Sequence, residues 1–318
     1  MPKWRSRIRV EGVEKLLGQV LRTAINQQAL KPAEIAVVNV DTTVQEKAIA
    51  FPTDARLYDK ARGALVRAAR KQQVKLRQSY VRLSKRALFQ QSRYAAARQG
   101  KRAKQQTRKL RTYLGRVIRD IERKVSSMPV RLQKLVDIAK RIHQQQPKQG
   151  NKIYSVHAPE TECIAKGKVH KRYEFGCKVV VVTTSASNWI VGIDGVHGNP
   201  YDGATLSQAL QQTQELTTVK PQQALVDKGF RGKAHHPEDV EVLIAGTRQR
   251  TSSLKHLLKR RSAIEPVIGH SKQDHSLKRN YLRGKTGDRI NALLAGCGFN
   301  LRKLFRFFIT APLIQANA

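Results

Sequence analysis

Three acidic residues of this sequence have neighbours that could help them to build a divalent-metal site. Asp41 and Asp227 each follow a short apolar run, and Glu265 lies in a segment that the sequence predicts to be helical. On that helix Arg261 comes four residues before the glutamate and Lys272 seven residues after it, so the three side chains share one face. Carboxylate oxygens are the ligands that Mg²⁺ prefers in proteins. The pattern predicts a magnesium site beside a cationic helix face.

The charge of the chain indicates what such a site would act on. The sequence has 61 Lys and Arg residues against 23 Asp and Glu residues, a formal net charge of +38. An excess of this size opposes folding by self-repulsion unless an anion shares the surface, and a polyphosphate is the natural one. Two Mg²⁺ ions can activate the nucleophile and stabilise the leaving oxygen of a phosphodiester. We therefore expect a nucleic-acid substrate, although a basic binding protein without catalysis also fits the charge.

Each acidic residue also has an ordinary structural interpretation. An aspartate at the end of a strand is often a turn or cap residue. The spacing of Arg261 and Glu265 also occurs in surface ion pairs. The three acids in this order favour a functional site more strongly than any one of them does. Asp202 could supply a further carboxylate, but a position at the start of a helix makes an N-cap role the better interpretation.

The elements that must position these residues predict a mixed α/β fold. Apolar runs and periodicity predict strands at 35–40, 173–184, 189–196, 223–226 and 240–245, and helices at 12–29, 202–216, 254–275 and 286–309. This order resembles a ribonuclease-H-like mixed sheet of about five strands with flanking helices, in which the first and fourth strands are neighbours. Asp41 and Asp227 would then meet at adjacent strand ends. Glu265 could reach the same point from the helix after the last strand.

A long basic helical insertion is predicted after the first strand. Between residues 57 and 146 there are 26 Lys and Arg residues but four acidic ones, and apolar residues recur at helical spacing. We divide the chain into an N-terminal helical segment (1–33), the first part of the catalytic core (34–54), the insertion (55–148) and the remainder of the core with the C-terminal helices (149–318).

The remaining composition argues against several other classes of protein. Cys163, Cys177 and Cys297 are far apart and have no CxxC spacing, so we expect reduced thiols and no cysteine-ligated zinc. No stretch reaches the ~18 uninterrupted apolar residues that span a bilayer. The N-terminus has no secretion signal. We expect a cytoplasmic, nucleoid-associated protein without membrane contact.

Several motifs resemble those of bacterial insertion-sequence DDE transposases. In that family the third carboxylate lies in a signature of Tyr, two residues, Arg, three residues, Glu, six residues and Lys. Arg261, Glu265 and Lys272 keep this spacing, and Leu258 stands where the family has Tyr. The resemblance also rests on the residues 41–43, 154–160, 198–203, 226–230 and 264–270.

The resemblance implies an activity and a role for each residue. Asp41, Asp227 and Glu265 would be the catalytic residues and would bind two Mg²⁺ ions, for which Mn²⁺ could substitute. The residues that would contact DNA are Arg261, Lys272, Lys228 and Arg231. The enzyme would nick DNA at the ends of an insertion sequence and join the freed 3′-hydroxyl to target DNA, as a homodimer when active.

Two further expectations concern the extent and the activity of the chain. Transposases of this type usually carry a DNA-binding domain before the first aspartate, and 40 residues precede Asp41, so we expect an N-terminally truncated copy. Two alternatives to a transposase stay open. One is a non-catalytic nucleic-acid-binding remnant, and the other is a ribonuclease-H-like nuclease without strand transfer.

Overall fold

The structure, a computed structural model, describes residues 2–147, 149–165, 172–246 and 251–315. The helices in these ranges are α1 (Pro2–Asn26), α2 (Asp54–Lys71), α3 (Val81–Ala96), α4 (Gly100–Lys124), α5 (Val130–Gln144), α6 (Leu206–Thr217), α7 (Ser252–Arg260), α8 (Ile264–Asp274) and α9 (Gly284–Gln315). The strands are β1 (Val37–Lys47), β2 (Glu162–Ala165), β3 (Tyr173–Thr184), β4 (Ile190–Val196), β5 (Gln223–Val226), β6 (Glu241–Ile244) and β7 (Arg279–Asn280). No helix within these ranges combines the length and the apolarity needed to cross a membrane.

The chain forms two compact units. Unit 1 comprises Met1–Ala48 and Ile164–Ala318, and unit 2 comprises Ile49–Cys163. Unit 2 contains α2 to α5 and therefore lies between β1 and β3 in the sequence. Its core is formed by the apolar faces of these helices, which include Leu65, Leu110, Leu114, Ile121 and Ile142. The helical periodicity predicted for this basic segment is therefore confirmed.

The sheet is mixed. Its strand order is β2-β3-β1-β5-β6, with β4 also paired to β3 and β7 to β1. β1 is antiparallel to β3 and parallel to β5, and β5 is parallel to β6. The prediction that the first strand lies beside the strand before Asp227 is confirmed. The topology, with helices around a curled mixed sheet, is compatible with a ribonuclease-H-like fold.

Helices cover both faces of the sheet. Gly192 of β4 lies against Thr213 of α6, whereas the next residue, Ile193, lies against Gly296 of α9. Successive residues of a strand point to opposite faces, so α6 and α9 are on opposite sides. α1 packs on both of these helices. The buried residues of this core include Leu17, Val38, Val181, Trp189 and Leu293.

The prediction that the first strand ends at Asp41 is wrong. β1 continues to Lys47 because the residues after Asp41 remain paired with β3, as far as Glu46 opposite Gly176. Residues 42–44 are β-branched and favour extended backbone. Asp41 therefore lies in the middle of a strand that continues along β3.

The single helix predicted at 254–275 is also wrong. α7 ends at Arg260, a 3₁₀ turn follows at Arg261–Ala263, and α8 begins at Ile264. Pro266 explains the interruption, because its ring lacks the N–H that would bond to the carbonyl of Ser262 and clashes with that carbonyl.

Other boundaries differ from the prediction in smaller ways. α1 begins at Pro2 with a kink at Arg9 (φ 57°, ψ −174°), and it ends at Asn26. The predicted helix at 202–216 begins as a 3₁₀ turn at Asp202–Thr205. β2 and β7 were not predicted.

Candidate functional site

Three carboxylates of unit 1 surround the guanidinium of Arg261. Its Nη2 lies 2.7 Å from Oδ2 of Asp41 and 3.7 Å from Oδ2 of Asp227, and its Nη1 lies 3.6 Å from Oε1 of Glu265. The side chain of Asp41 is 17% exposed, that of Asp227 41% and that of Glu265 65%, so the group opens from the sheet to solvent. The structure thus brings together the three acids singled out in the sequence, around a cation of the protein itself.

The strand register places the two aspartates side by side. Asn39 of β1 is paired with Leu225 of β5, and each aspartate follows two residues later on its own chain segment. The backbone then fixes one oxygen of each carboxylate. Oδ1 of Asp41 accepts a hydrogen bond from the N–H of Thr42 (2.7 Å), and Oδ1 of Asp227 accepts one from the N–H of Gly229 (2.8 Å). The second oxygen of each aspartate is left to face Arg261.

The residue before Arg261 holds the 3₁₀ turn on the sheet. The buried side chain of Asn39 donates a hydrogen bond to the carbonyl of Arg260 (3.3 Å). The guanidinium of Arg260 in turn donates to the carbonyls of Ser185 (2.7 Å) and Ala186 (2.9 Å), just after β3. Asn39 and Asp41 share one face of β1, so this anchor sets Arg261 beside Asp41. Sequence reasoning missed Asn39 and Arg260, because neither belongs to a recognisable spacing.

Glu265 lies in the first turn of α8, where a helix favours negative charge. Arg261 lies in the 3₁₀ turn before α8 and contacts the aspartates, whereas the side chain of Glu265 on α8 is largely exposed. Leu258 is 9% exposed and packs inward from α7. The position that is Tyr in the resembling family therefore carries an apolar core residue here.

The position of the Arg261 guanidinium combines one polar cost with an electrostatic gain. Its Nε is buried and has no hydrogen-bond partner among the described residues. A buried donor without a partner costs about 1–3 kcal/mol. The same guanidinium neutralises charges that would otherwise repel one another. A second cation that replaced it among the carboxylates would release this donor.

A fourth carboxylate, that of Asp202, lies next to the three that surround Arg261. Its Oδ1 accepts hydrogen bonds from Lys178 Nζ (2.7 Å) and from the hydroxyl of Thr42 (3.0 Å). A Cβ atom on Gly229 would lie 3.0 Å from Oδ2 of Asp202 and 2.9 Å from Oδ1 of Asp227, so the two carboxylates flank that glycine. The predicted N-cap role is wrong, since the 3₁₀ turn is preceded by Tyr201 and no side-chain cap bond forms there.

The four predicted DNA-binding residues lie at different places around the acids. Arg261 is at their centre, as described. Lys228 is exposed and its Nζ lies 3.2 Å from the point where a Cβ of Gly246 would be, beyond the end of β6. Arg231 is exposed, and its carbonyl accepts a hydrogen bond from the Tyr201 hydroxyl. Lys272 is partly buried two turns along α8 on the face of Glu265.

A separate cluster of metal-ligand types lies near the far end of β1. Ligand atoms of Cys177, His197 and Asp288 lie within 4.8 Å of one another, which no trio of the carboxylates around Arg261 achieves within the described ranges. The ammonium of Lys47, 4% exposed, lies 2.6 Å from Oδ1 of Asp288. Asn280 donates to the same oxygen (2.5 Å). The buried lysine already supplies the positive charge that this carboxylate needs, so a divalent cation would be repelled there.

Comparison with known proteins adds independent information. Residues 233–305 match the family described as the transposase DDE domain, which supports a DDE transposase. The matched range contains Arg261, Glu265 and Lys272, and it excludes Asp41 and Asp227. A Rhizobium meliloti protein described as uncharacterized protein ORF8 in the nfe locus is 52% identical over 99 residues, which are 31% of this chain and 48% of that protein. The chain thus spans about half the length of this relative. No solved structure matches this chain.

Proposed function

We propose that the protein is a DDE transposase that uses Mg²⁺ to cleave DNA and to join the cut strand to a target. The observation that carries the proposal is the convergence of Asp41, Asp227 and Glu265 on one cation, with the two aspartates on neighbouring segments of the sheet. A strongly basic chain with such a group has a nucleic-acid phosphodiester as its natural substrate.

The residues fit a divalent metal. The donors are hard carboxylate oxygens, and each aspartate keeps one oxygen fixed by the backbone and one directed toward the shared cation. Asp41, Asp227 and Glu265 would hold the metal. When bound, Mg²⁺ would lower the pKa of a water or hydroxyl nucleophile and stabilise the leaving oxygen.

The cationic residues would bind the DNA. Arg261, once released from the carboxylates, can reach a phosphate beside the acids and make two parallel hydrogen bonds to it. Lys228 and Arg231 are exposed on the segment that follows Asp227, and Lys272 lies two turns beyond Glu265 on α8. We also propose a homodimer as the active form, Mn²⁺ as a substitute metal and a nucleoid-associated location in the cytoplasm. These last points rest on the resemblance alone.

The test is a cleavage and joining assay on a supercoiled plasmid that carries this gene with its own flanking DNA. The full chain is incubated with Mg²⁺, with Mn²⁺ or with a chelator. Glu265→Gln and Asp227→Asn keep the size of the side chain and remove the charge, and Arg289→Gln serves as a control at an ion pair outside the acidic group. We expect nicked and joined products with wild type and the control, and a loss of at least about a hundredfold with either acid variant.

The other outcomes separate the alternatives. Metal-dependent nicking without joined products would favour a nuclease without strand transfer. DNA binding without any cleavage, by a protein with a normal folding transition, would favour a non-catalytic remnant. Cleavage that is unchanged in Glu265→Gln would exclude the proposed site.

A further inference from the structure

Unit 2 contains an open cavity of about 760 Å³ whose wall carries several arginines. The cavity lies between the segment before α3 and one face of α4, on which positions 116, 119 and 123 follow one another at helical spacing. None of these side chains has a role in the proposed reaction. The wall of the cavity includes Arg77, Tyr80, Arg116, Arg119, Asp120 and Arg123.

The acidic residues beside the cavity are already engaged. Asp120 accepts a hydrogen bond from the backbone N–H of Arg77 (2.7 Å) and lies 3.2 Å from Lys124 Nζ. Burial of Asp120 works against its ionisation, but these hydrogen bonds lower its pKa below the ordinary value, so it stays charged and paired. Glu122 forms an ion pair with Lys140 of α5. Neither carboxylate is left to neutralise the remaining arginines.

The arginines themselves are left in excess. Arg123 contacts Asp120 at 3.4 Å and is 68% exposed. For Arg77, Arg116 and Arg119, no ion pair with a carboxylate is found in the described part of the chain. Guanidinium groups that face one cavity repel one another and are stabilised when an anion enters it. The charge of the cavity wall therefore favours an anionic ligand.

Two tyrosines orient one of these arginines. The rings of Tyr80 and Tyr113 are stacked at 4.8 Å with an interplanar angle of 12°. The guanidinium of Arg116 lies over the Tyr80 ring, 5.9 Å from its centroid, and donates a hydrogen bond to its hydroxyl (3.4 Å). With Tyr113 on the ring and Arg116 over it, Tyr80 has little area on which a base could stack. The two tyrosines thus orient the guanidinium of Arg116 and do not offer a free ring face on which a base could stack.

We propose that this cavity binds phosphates of a nucleic-acid backbone. A second cavity, of about 530 Å³, shares Arg77, Asp120 and Arg123 with the first and adds Lys75 and Lys124 to the wall. Two adjoining cavities of this size accommodate consecutive phosphates of a strand, whereas a single phosphate ion would leave most of the space empty. The binding is independent of base sequence, because guanidinium–phosphate contacts carry no sequence information. The inference rests on the proposed function only in taking DNA as the nucleic acid.

The test measures binding of the full chain to a fluorescein-labelled DNA duplex of arbitrary sequence, without divalent metal, at several salt concentrations. The double variant Arg116→Gln/Arg119→Gln is compared with Arg82→Gln/Arg86→Gln, which removes the same charge from exposed positions of α3 outside the cavity wall. We expect the cavity variant to weaken binding roughly tenfold or more and to reduce the slope of log K against log salt by about two. The α3 control should change both quantities much less.

Tyr80→Phe gives a finer variant, since it keeps the ring stack and removes the hydroxyl that accepts from Arg116. We expect a smaller loss of affinity with it. Equal effects of the cavity and control variants would overturn the proposal in favour of a diffuse basic surface. A cavity variant that weakens the binding of inorganic phosphate but binds DNA as tightly as the control variant would instead indicate a site for free phosphate, and the backbone assignment would be wrong.

The same measurements distinguish this inference from the proposed function. Binding is repeated in the Glu265→Gln background, where cleavage cannot occur. A cavity effect that persists in that background supports the phosphate site even if no joining activity is found. Loss of the cavity effect alone leaves the acidic site in unit 1 untouched.

Discussion

Replacement of Arg261 by glutamine tests directly whether the three carboxylates need a cation. Its hydrogen bond to Asp41 joins two side chains that are 14% and 17% exposed, and a hydrogen bond to a charged group contributes about 1.5–3 kcal/mol. The contacts with Asp227 and Glu265 are longer and more exposed, so each contributes about 0.2–1 kcal/mol. We expect a loss of about 2–4 kcal/mol in the free energy of unfolding of unit 1.

Tryptophan fluorescence can measure this loss of stability, because it reports the unfolding of unit 1. Both tryptophans of the chain, Trp4 and Trp189, belong to unit 1, and the side chain of Trp189 is buried in its core. For a unit of this size, 1 kcal/mol corresponds to about 2–4 °C in Tm. The expected decrease in Tm of Arg261→Gln without metal is therefore about 4–16 °C.

Added Mg²⁺ should then stabilise the variant more than wild type. In wild type the guanidinium competes for the carboxylate oxygens, whereas in Arg261→Gln they face one another without a cation. Saturation of one site at a hundredfold excess over Kd contributes about 2.7 kcal/mol, which would recover most of the lost Tm. The comparison is made without DNA, with Ca²⁺ and K⁺ titrations in parallel.

Arg289→Gln is the matched control. It removes the same charge from unit 1 and breaks the bidentate ion pair between Arg289 and Asp194, in which Nη2 lies 2.7 Å from Oδ2. We expect a lower Tm for this variant with an unchanged response to Mg²⁺. If Mg²⁺ raises the Tm of wild type, Arg261→Gln and Arg289→Gln by equal amounts, Arg261 does not occupy the metal site and the reasoning fails.

Three further predictions follow from the packing around the sites. Gly229→Ala would put a Cβ 2.9 Å from Asp227 Oδ1 and 3.0 Å from Asp202 Oδ2; because both are ends of side chains, we expect a normal Tm but a reduced response to Mg²⁺. Gly176→Ala would put a Cβ 1.9 Å from the carbonyl oxygen of Gln45, so β1 and β3 cannot stay paired, and we expect a loss of about 3 kcal/mol or more in the tryptophan-detected unfolding of unit 1. Burial, together with Arg111 and Arg119, lowers the pKa of His143 in unit 2, so the unfolded state takes up a proton at higher pH than the folded state. Stability present above about pH 6.5 should decline as the pH falls below that value, and His143→Gln should flatten this decline in urea unfolding followed by far-UV circular dichroism; an equally steep decline in the variant would contradict the assignment to His143.

The sequence alone determined the features that depend on local pattern. The β-branched run of β3 favours extended backbone, and this strand was predicted with its observed bounds. The apolar face of α4 follows the helical period of 3.6 residues on which the helical insertion was predicted. The order of strands and helices resembles a ribonuclease-H-like fold, and this resemblance implied that β1 and β5 are neighbours, as they are. Carboxylates at the ends of such runs are visible without any structure.

Only the tertiary structure decided how the site is organised. The length of β1 depends on its pairing with β3, which begins more than a hundred residues later, so the apolar run before Asp41 could not show where the strand ends. The contact between Asn39 and Arg260 spans 221 positions and follows from sheet register and helix packing. It places Arg261 among the acids, where the sequence had suggested a cation on a helix face beside them. Periodicity describes each element separately, whereas the distance between a guanidinium and three carboxylates is fixed only when those elements pack.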